Sequence, residues 1–259
     1  MQTRPPAVAG VFYPDNPAEL ETLVDRLLGD NTHRGQAPRA LVVPHAGLVY
    51  SGPVAAHAYS VLKPWVSNFE RVLLLGPNHR VPLASMAVSS AEQFTCPLGK
   101  MALDTDSIAG WVERGLLEYN DEAHRLEHCL EVQLPFLLRL KSDWKLIPVV
   151  VGQVSTEKVA RLVGEGLDDP STLVLVSSDL SHYHAYDTAR RIDAVTSQRI
   201  ERMEPMLSPE LACGCYAING LLDAAGRRGL HIDRLDLRNS GDTAGPKDRV
   251  VGYGAYAIH

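Results

Sequence analysis

A chain of 259 residues with 45% hydrophobic and 22% charged residues has the apolar content of a globular protein and can bury a sizeable core. Its net charge of −6 excludes the basic footprint of a nucleic-acid binder, and no polybasic stretch is present for an anionic membrane. No apolar run reaches the roughly 18 residues of a membrane span, and the opening MQTRPPAVAGVFYP lacks a signal-peptide core, so cytoplasmic residence is expected.

In chain order, the first predicted element is a helix over residues 16–29, NPAELETLVDRLLG, capped by Asn16 and stopped at Gly29. A strand over 39–44 follows and ends at Pro44 and His45, after which Gly47 and Gly52 allow a tight turn into a helix containing His57. The run RVLLLG over 71–76 is a second strand, and a Gly-Pro turn delivers Asn78 and His79 at its end. Residues 81–104 hold Pro82, Pro97 and Gly99 between short apolar pieces, which predicts a hairpin rather than a crossover helix. HCLEVQLPFLLRL reads as a helix on which His128 and Glu131, three apart, share a face near the N-terminal end. A strand over 145–151, a helix from a Ser155 or Thr156 cap and a strand over 172–178 come next, followed by SSDLSHYH and a helix from about 184 to 203. SPELACGCYAINGLLDAAG is a further helix, where Cys213 and Cys215, two apart, cannot face one ligand and read as packing residues. Four cysteines in so long a chain predict no disulfide framework. The polar loop RNSGDTAGPKDR leads into the last strand, 249–258.

Strand runs as continuous as ALVV, RVLLL, LIPVVV and TLVLV, alternating with helices, predict the α/β class. The expected architecture is a three-layer αβα arrangement with a mixed, largely parallel central sheet. No repeat or linker divides the chain, so one domain over 1–259 is expected.

Three of these strands are followed by a histidine: His45, His79 and His182. Ligands of parallel α/β sheets bind in the crevice outside the carboxyl ends of the strands, and imidazole is the commonest protein metal ligand. His45 and His79 are therefore candidate metal ligands. Asp179, three residues before His182, is placed to fix its tautomer, which makes the two a candidate acid/base pair; Asp179 or Ser178 also suits a helix N-cap. His128 and Glu131 are expected to line the same pocket. Asn239, Ser240 and Asp242 are ordinary turn formers. If the last strand runs antiparallel, however, their loop reaches the histidine edge and Asp242 supplies a third ligand. Two histidines and a carboxylate are the donor set of non-haem Fe(II) oxygenases, and hydrolytic zinc sites use similar residue types. The sequence contains no GxGxxG after a first strand, no GxxxxGK[ST] and no GxSxG, which leaves dinucleotide, P-loop and nucleophile-elbow readings without support.

The motifs RPPAVAGVFYP, VPHAGLVYSG, LGPNH, EHCLEVQLPF, SSDLSHY and RNSGD…VVGYGA, in this order from residue 4 to the last strand, resemble the Memo family, near its bacterial and archaeal members. The resemblance implies an αβα domain similar to the class III extradiol dioxygenases, non-haem iron enzymes that cleave catechol rings. It implies that His45 and His79 are the metal-site histidines and that Asp179 and His182 are the family's nearby polar pair. Animal members carry a cysteine in the loop before the last strand, where this chain offers Asp242 or Thr243. That exchange moves the expected ion from copper toward Fe(II), with Cu and Zn as alternatives. Animal members are also associated with phosphorylated peptides and with copper or iron redox chemistry, and prokaryotic members with a radical-SAM protein. The expected function is a metal-dependent redox enzyme of dioxygenase type acting on a small molecule. The alternative is a binding module that holds a phosphopeptide or other anionic ligand in the same cleft, and a hydrolase using metal-activated water ranks third.

Overall fold

In the computed structural model, which describes residues 2–29 and 35–259, the four most apolar runs form the centre of a nine-stranded sheet. In chain order the strands are β1 (Thr3–Arg4), β2 (Ala40–Val43), β3 (Arg71–Pro77), β4 (Met86–Val88), β5 (Gln93–Cys96), β6 (Gly99–Ala102), β7 (Glu118–Tyr119), β8 (Lys145–Val151), β9 (Thr172–Ser177), β10 (His182–His184), β11 (Ile232–Asn239) and β12 (Val250–Ile258). The helices are α1 (Pro17–Leu28), α2 (Leu48–Leu62), α3 (Thr105–Glu113), α4 (Asp121–Arg125), α5 (Leu134–Leu140), α6 (Thr156–Asp168), α7 (Tyr186–Glu201) and α8 (Cys215–Gly226). The sheet order is β10-β12-β2-β9-β3-β8-β4-β7, with β11 also paired to β12. Its centre, β2-β9-β3-β8, is parallel, while β12 joins β2 and β4 joins β8 antiparallel. The sheet is thus mixed, as the alternation of elements predicts.

Every residue of β2 and β9, and six of seven in β3 and β8, is buried, so both faces of this centre are covered. The connections explain how. β2 leads through α2 to β3, two places along the sheet, and β8 leads through α6 to β9, two places the other way. Right-handed crossovers in opposite directions put their helices on opposite faces. Accordingly α2 packs with α1 and against β12 and β2, whereas α6 packs on α8, which covers β3 and β9.

Three local expectations are corrected. Residues 128–140 do not form one helix: a 3₁₀ turn, Glu131–Gln133, precedes α5, because Pro135 occupies the first turn and fixes the helix start. No helix starts from a cap at Ser178 or Asp179; SSDLSHYH extends into β10 against β12, with Leu180 N donating to Gly252 O at 2.8 Å and Gly252 N to Ser181 O at 2.8 Å. The segment 81–104 does contain the expected hairpin, β5–β6, but β4 leaves it to join the main sheet, and β1 completes the hairpin as a separate three-stranded sheet.

Two glycines permit close approaches that matter for the site. A Cβ on Gly76 at the end of β3 would lie 2.6 Å from Cys129 Sγ, so glycine there lets the 128–130 turn sit on the strand end. A Cβ on Gly214 would lie 2.7 Å from Ser178 Cβ, so glycine lets the 213–214 loop pack against the end of β9.

Candidate metal centre

The parallel centre places the carboxyl ends of β2, β9 and β3 on one edge, with β9 in the middle. His45 follows β2 by two residues and His79 follows β3 by two. Strands on either side of a third are roughly 10 Å apart, and the two side chains lean inward over β9 to close that gap. Their ring centroids are 5.5 Å apart, and the His128 ring completes a triangle at 5.4 Å from His45 and 4.7 Å from His79. One ring nitrogen from each of His45, His79 and His128 can be chosen so that all lie within 4.8 Å of one another. This set has the chemistry and spacing to hold a metal ion.

Hydrogen bonds decide which nitrogen each ring offers. Ser177 Oγ donates its one proton to Cys129 O at 2.7 Å and accepts from Gln133 Nε2 at 2.9 Å. It therefore also accepts from His45 Nδ1, at 2.9 Å, which makes Nδ1 the protonated nitrogen and Nε2 the lone-pair side, with the Cys213 thiol 3.4 Å from it. Gln133 is itself oriented by Tyr59 Oη, which donates to its Oε1 at 2.7 Å. The His45 main chain is pinned by N–H donation to Asp179 Oδ1 at 2.8 Å.

Glu127 does for His79 what Ser177 does for His45. Its Oε1 accepts from His79 Nδ1 at 2.8 Å and from the backbone N–H groups of His128 and Cys129 at 2.9 and 3.2 Å; its Oε2 accepts from His79 N at 2.7 Å. His79 thus presents Nε2 outward, held by a carboxylate partner of the kind that orients metal-bound histidines. His128 packs tilted against Phe12 with centroids 4.7 Å apart, and its Nδ1 is buried without a hydrogen bond, 3.3 Å from Glu127 Oε1. A buried imidazole nitrogen left without a partner is what a metal ligand would be in the absence of its ion.

Electrostatics agree with ligation. Burial, with the His79 ring beside it, pushes the His45 imidazole down to about 3, and burial with His45 does the same to His128. Both rings therefore keep their lone pairs at neutral pH. Burial alone would raise the Glu127 carboxyl, but the hydrogen bond and charge of His79, together with His128, hold it at about 2, so it stays anionic. Burial raises the Asp179 carboxyl against the pull of the His45 N–H.

The triad opens on a cavity of about 480 Å³ whose wall also includes Asp179, His182, Phe12, Tyr50, Tyr183 and Tyr253. A second set with metal-ligand spacing, His79, Glu127 and Cys129, lies behind it. There the carboxylate is already saturated by four N–H donors, and the Cys129 thiol donates to Pro77 O at 3.1 Å. That set supports His79 rather than offering a second open site.

Of the residues expected from the sequence, His45, His79 and His128 come together, and Asp179 and His182 line the same cavity. No hydrogen bond joins Asp179 to His182 among the described residues, because the carboxylate grips the His45 main chain instead. Glu131 does not line the cavity. It is fully buried in an ion pair with Arg4 and accepts from Ala7 N at 2.7 Å, Val8 N at 2.9 Å and Tyr13 Oη at 2.5 Å, so it anchors the N-terminal segment. Asp242 is also displaced from its expected place. The last strand is antiparallel, and its preceding loop does reach the cavity through Ser240, Gly245, Pro246 and Arg249. The Asp242 carboxylate, however, closes a capping box on Asn239 N at 3.0 Å and accepts from Tyr186 Oη at 2.5 Å. His128 stands where the third ligand was sought.

Sequence reasoning missed Glu127, Ser177 and Cys213. Glu127 and Ser177 are each adjacent to a residue that was singled out, and only the turn geometry distinguishes them. Cys213 lies outside the helix, two residues before α8, with its Sγ 3.4 Å from His45 Nε2 and accepting from Asp179 N at 3.3 Å. It is not simply a packing residue.

Comparisons with known proteins give the family. The model of the "Memo-like protein" family matches residues 4–257. A MEMO1 family protein of Aquifex aeolicus is 35% identical over 98% of both chains, and one of Methanosarcina mazei is 34% identical over the full length of both. A third, from Desulfurococcus amylolyticus, is 31% identical, again over the full length of both. Among solved structures, an uncharacterized protein of Escherichia coli K12 superposes with a TM-score of 0.57 at 12% identity, covering 86% of this chain and all of that one, a likeness of fold alone. The chain belongs to the Memo family.

Proposed function

We propose that the protein is a metal-dependent enzyme, one Memo-like domain over 1–259, in which His45, His79 and His128 hold a divalent ion at the floor of the cavity. The observation that carries this reading is the convergence of three imidazoles, each from a different loop, on one cavity also walled by Asp179 and His182. The residues fit the ion: two rings are locked in the tautomer that frees Nε2, and the third has a buried nitrogen without a partner. Imidazole donors suit iron, copper and zinc alike. We assign Fe(II) and a redox reaction of dioxygenase type on a phenolic small molecule, in keeping with the family likeness.

A bound ferrous ion would supply Lewis acidity toward a substrate oxygen and electrons for dioxygen. The chain supplies the rest. Glu127 and Ser177 keep the His79 and His45 rings oriented, each bound through Nδ1. Asp179, with Oδ1 committed to His45 N and its carboxyl raised by burial, is suited to take a substrate hydroxyl proton, and His182 on β10 is the second acid/base group. Phe12, Tyr50 and Tyr253 narrow the cavity and limit water around the reacting atoms.

One observation favours a second reading. The cluster contains three histidines and no carboxylate, which is also the donor set of a catalytic zinc that activates water. Anaerobic purification, metal analysis and oxygen uptake with catechols decide between them. Bound iron and oxygen consumption are expected; bound zinc with ester or amide turnover would replace the redox reading. Phosphopeptide binding that survives metal removal and the pair His45→Ala and His79→Ala would leave only a binding module.

A further inference from the structure

The wall of the cavity around the histidines is rich in aromatic side chains. Four of its sixteen lining residues, Phe12, Tyr50, Tyr183 and Tyr253, are aromatic, although Phe, Tyr and Trp make up only 6% of the chain. Such walls favour a planar, apolar body between them. Arg249 is the only lysine or arginine among the lining residues, and Asp179 is the only carboxylate. Asp179 is committed to the His45 main chain, and no carboxylate among the described residues forms an ion pair with Arg249. The guanidinium carbon instead lies 5.1 Å from the centre of the Tyr183 ring. A guanidinium stacked on a ring keeps its N–H groups directed sideways in its own plane, ready to meet a carboxylate edge-on.

The backbone points the same way. Tyr183 has φ = 61°, one of two non-glycine residues in the left-handed region among the described residues, and it sits where the β10–β12 pairing is irregular. Its side chain is 64% exposed, so burial of the ring does not repay that conformation. The conformation makes sense if the ring forms part of a binding surface.

We infer that the cavity takes a planar aromatic ring bearing a carboxylate, with Arg249 as the carboxylate's partner and Tyr183, Tyr50 and Phe12 as walls for the ring. This rests on the metal-centre reading only for the orientation of the ligand, and the test separates the two. Benzoate and its neutral isostere benzamide are titrated by NMR into the full chain, metal-free and loaded with Zn(II), as wild type, Arg249→Gln and Arg249→Lys. Benzoate should bind about tenfold tighter than benzamide to wild type with or without metal, as one charge-assisted pair at an exposed site provides. The preference should vanish in R249Q and partly return in R249K. Equal binding of the two probes to wild type, or a preference that persists in R249Q, overturns the inference. If the preference disappears on metal removal yet survives R249Q, the ion and not Arg249 reads the carboxylate; the inference then fails while the metal centre stands. If the preference depends on Arg249 but no metal binds, the inference stands and the metal centre fails.

Discussion

Glu127→Gln is the most informative single change behind the metal centre. The carboxylate is 1% exposed and accepts four N–H bonds, three at Oε1 and one at Oε2. An amide keeps the shape but turns one oxygen into a donor. If the NH₂ takes the Oε2 position, it faces His79 N, and one charge-assisted bond of about 1.5–3 kcal/mol is lost. The electrostatics give a similar figure: holding the carboxyl at about 2 instead of its ordinary 4.5 corresponds to about 3 kcal/mol at pH 7. The metal-free variant should therefore melt roughly 5–10 °C below wild type, for a chain of this size. The His79 ring also loses its tautomer lock, so metal affinity should fall by roughly 10–100-fold, the usual cost of removing such a partner. Thermal unfolding and anaerobic metal titration of the same preparations measure both effects. A variant that melts within 1–2 °C of wild type, about the resolution of such a comparison, and binds metal equally well would refute the role given to Glu127.

Three further outcomes follow from the same geometry. His128→Ala should weaken metal binding by more than roughly 100-fold, beyond what loss of a supporting partner costs, whereas Asp242→Ala should change it less than twofold; calorimetric titration of both separates the two candidates for third ligand. In metal-free protein His45 and His128 stay neutral down to about pH 3, whereas in the unfolded chain they take protons near pH 6.5. Buried His124, held down to about 4, adds a third such group, so stability should be constant above about pH 7 and fall toward pH 5 with a slope approaching three protons, about 4 kcal/mol per pH unit; denaturant titrations that show no slope there would contradict the buried, neutral state of the rings. Glu131→Ala leaves Arg4 buried without its partner and should cost about 3–5 kcal/mol of stability, while the metal affinity of the folded fraction stays as in wild type.

The positions of His45 and His79 were legible because continuous apolar runs followed by histidine can be read as strand ends, and a parallel sheet has one carboxyl edge. His128 was only half legible: an i, i+3 pair on an assumed helix drew it toward Glu131. Pro135 delays that helix by six residues, so the two side chains part, one to the centre and one to Arg4. Asp242 and Glu127 were indistinguishable by residue type, and the difference lies in neighbours. Asp242 has an asparagine cap and a tyrosine to hold, whereas Glu127 sits where the backbone N–H groups of His79, His128 and Cys129 and the His79 ring converge. Cys213 was hidden by the assumption that the helix began before it, when the close approach at Gly214 places that residue on the strand edge instead.

X-ray absorption on the metal-loaded chain tests the central claim most directly. The account predicts multiple scattering from three imidazoles, with nitrogen at about 2.0–2.1 Å for zinc, reduced to two imidazoles in His128→Ala and unchanged in Asp242→Ala. A wild-type spectrum that requires sulfur at about 2.3 Å, or that fits a single imidazole, would contradict it.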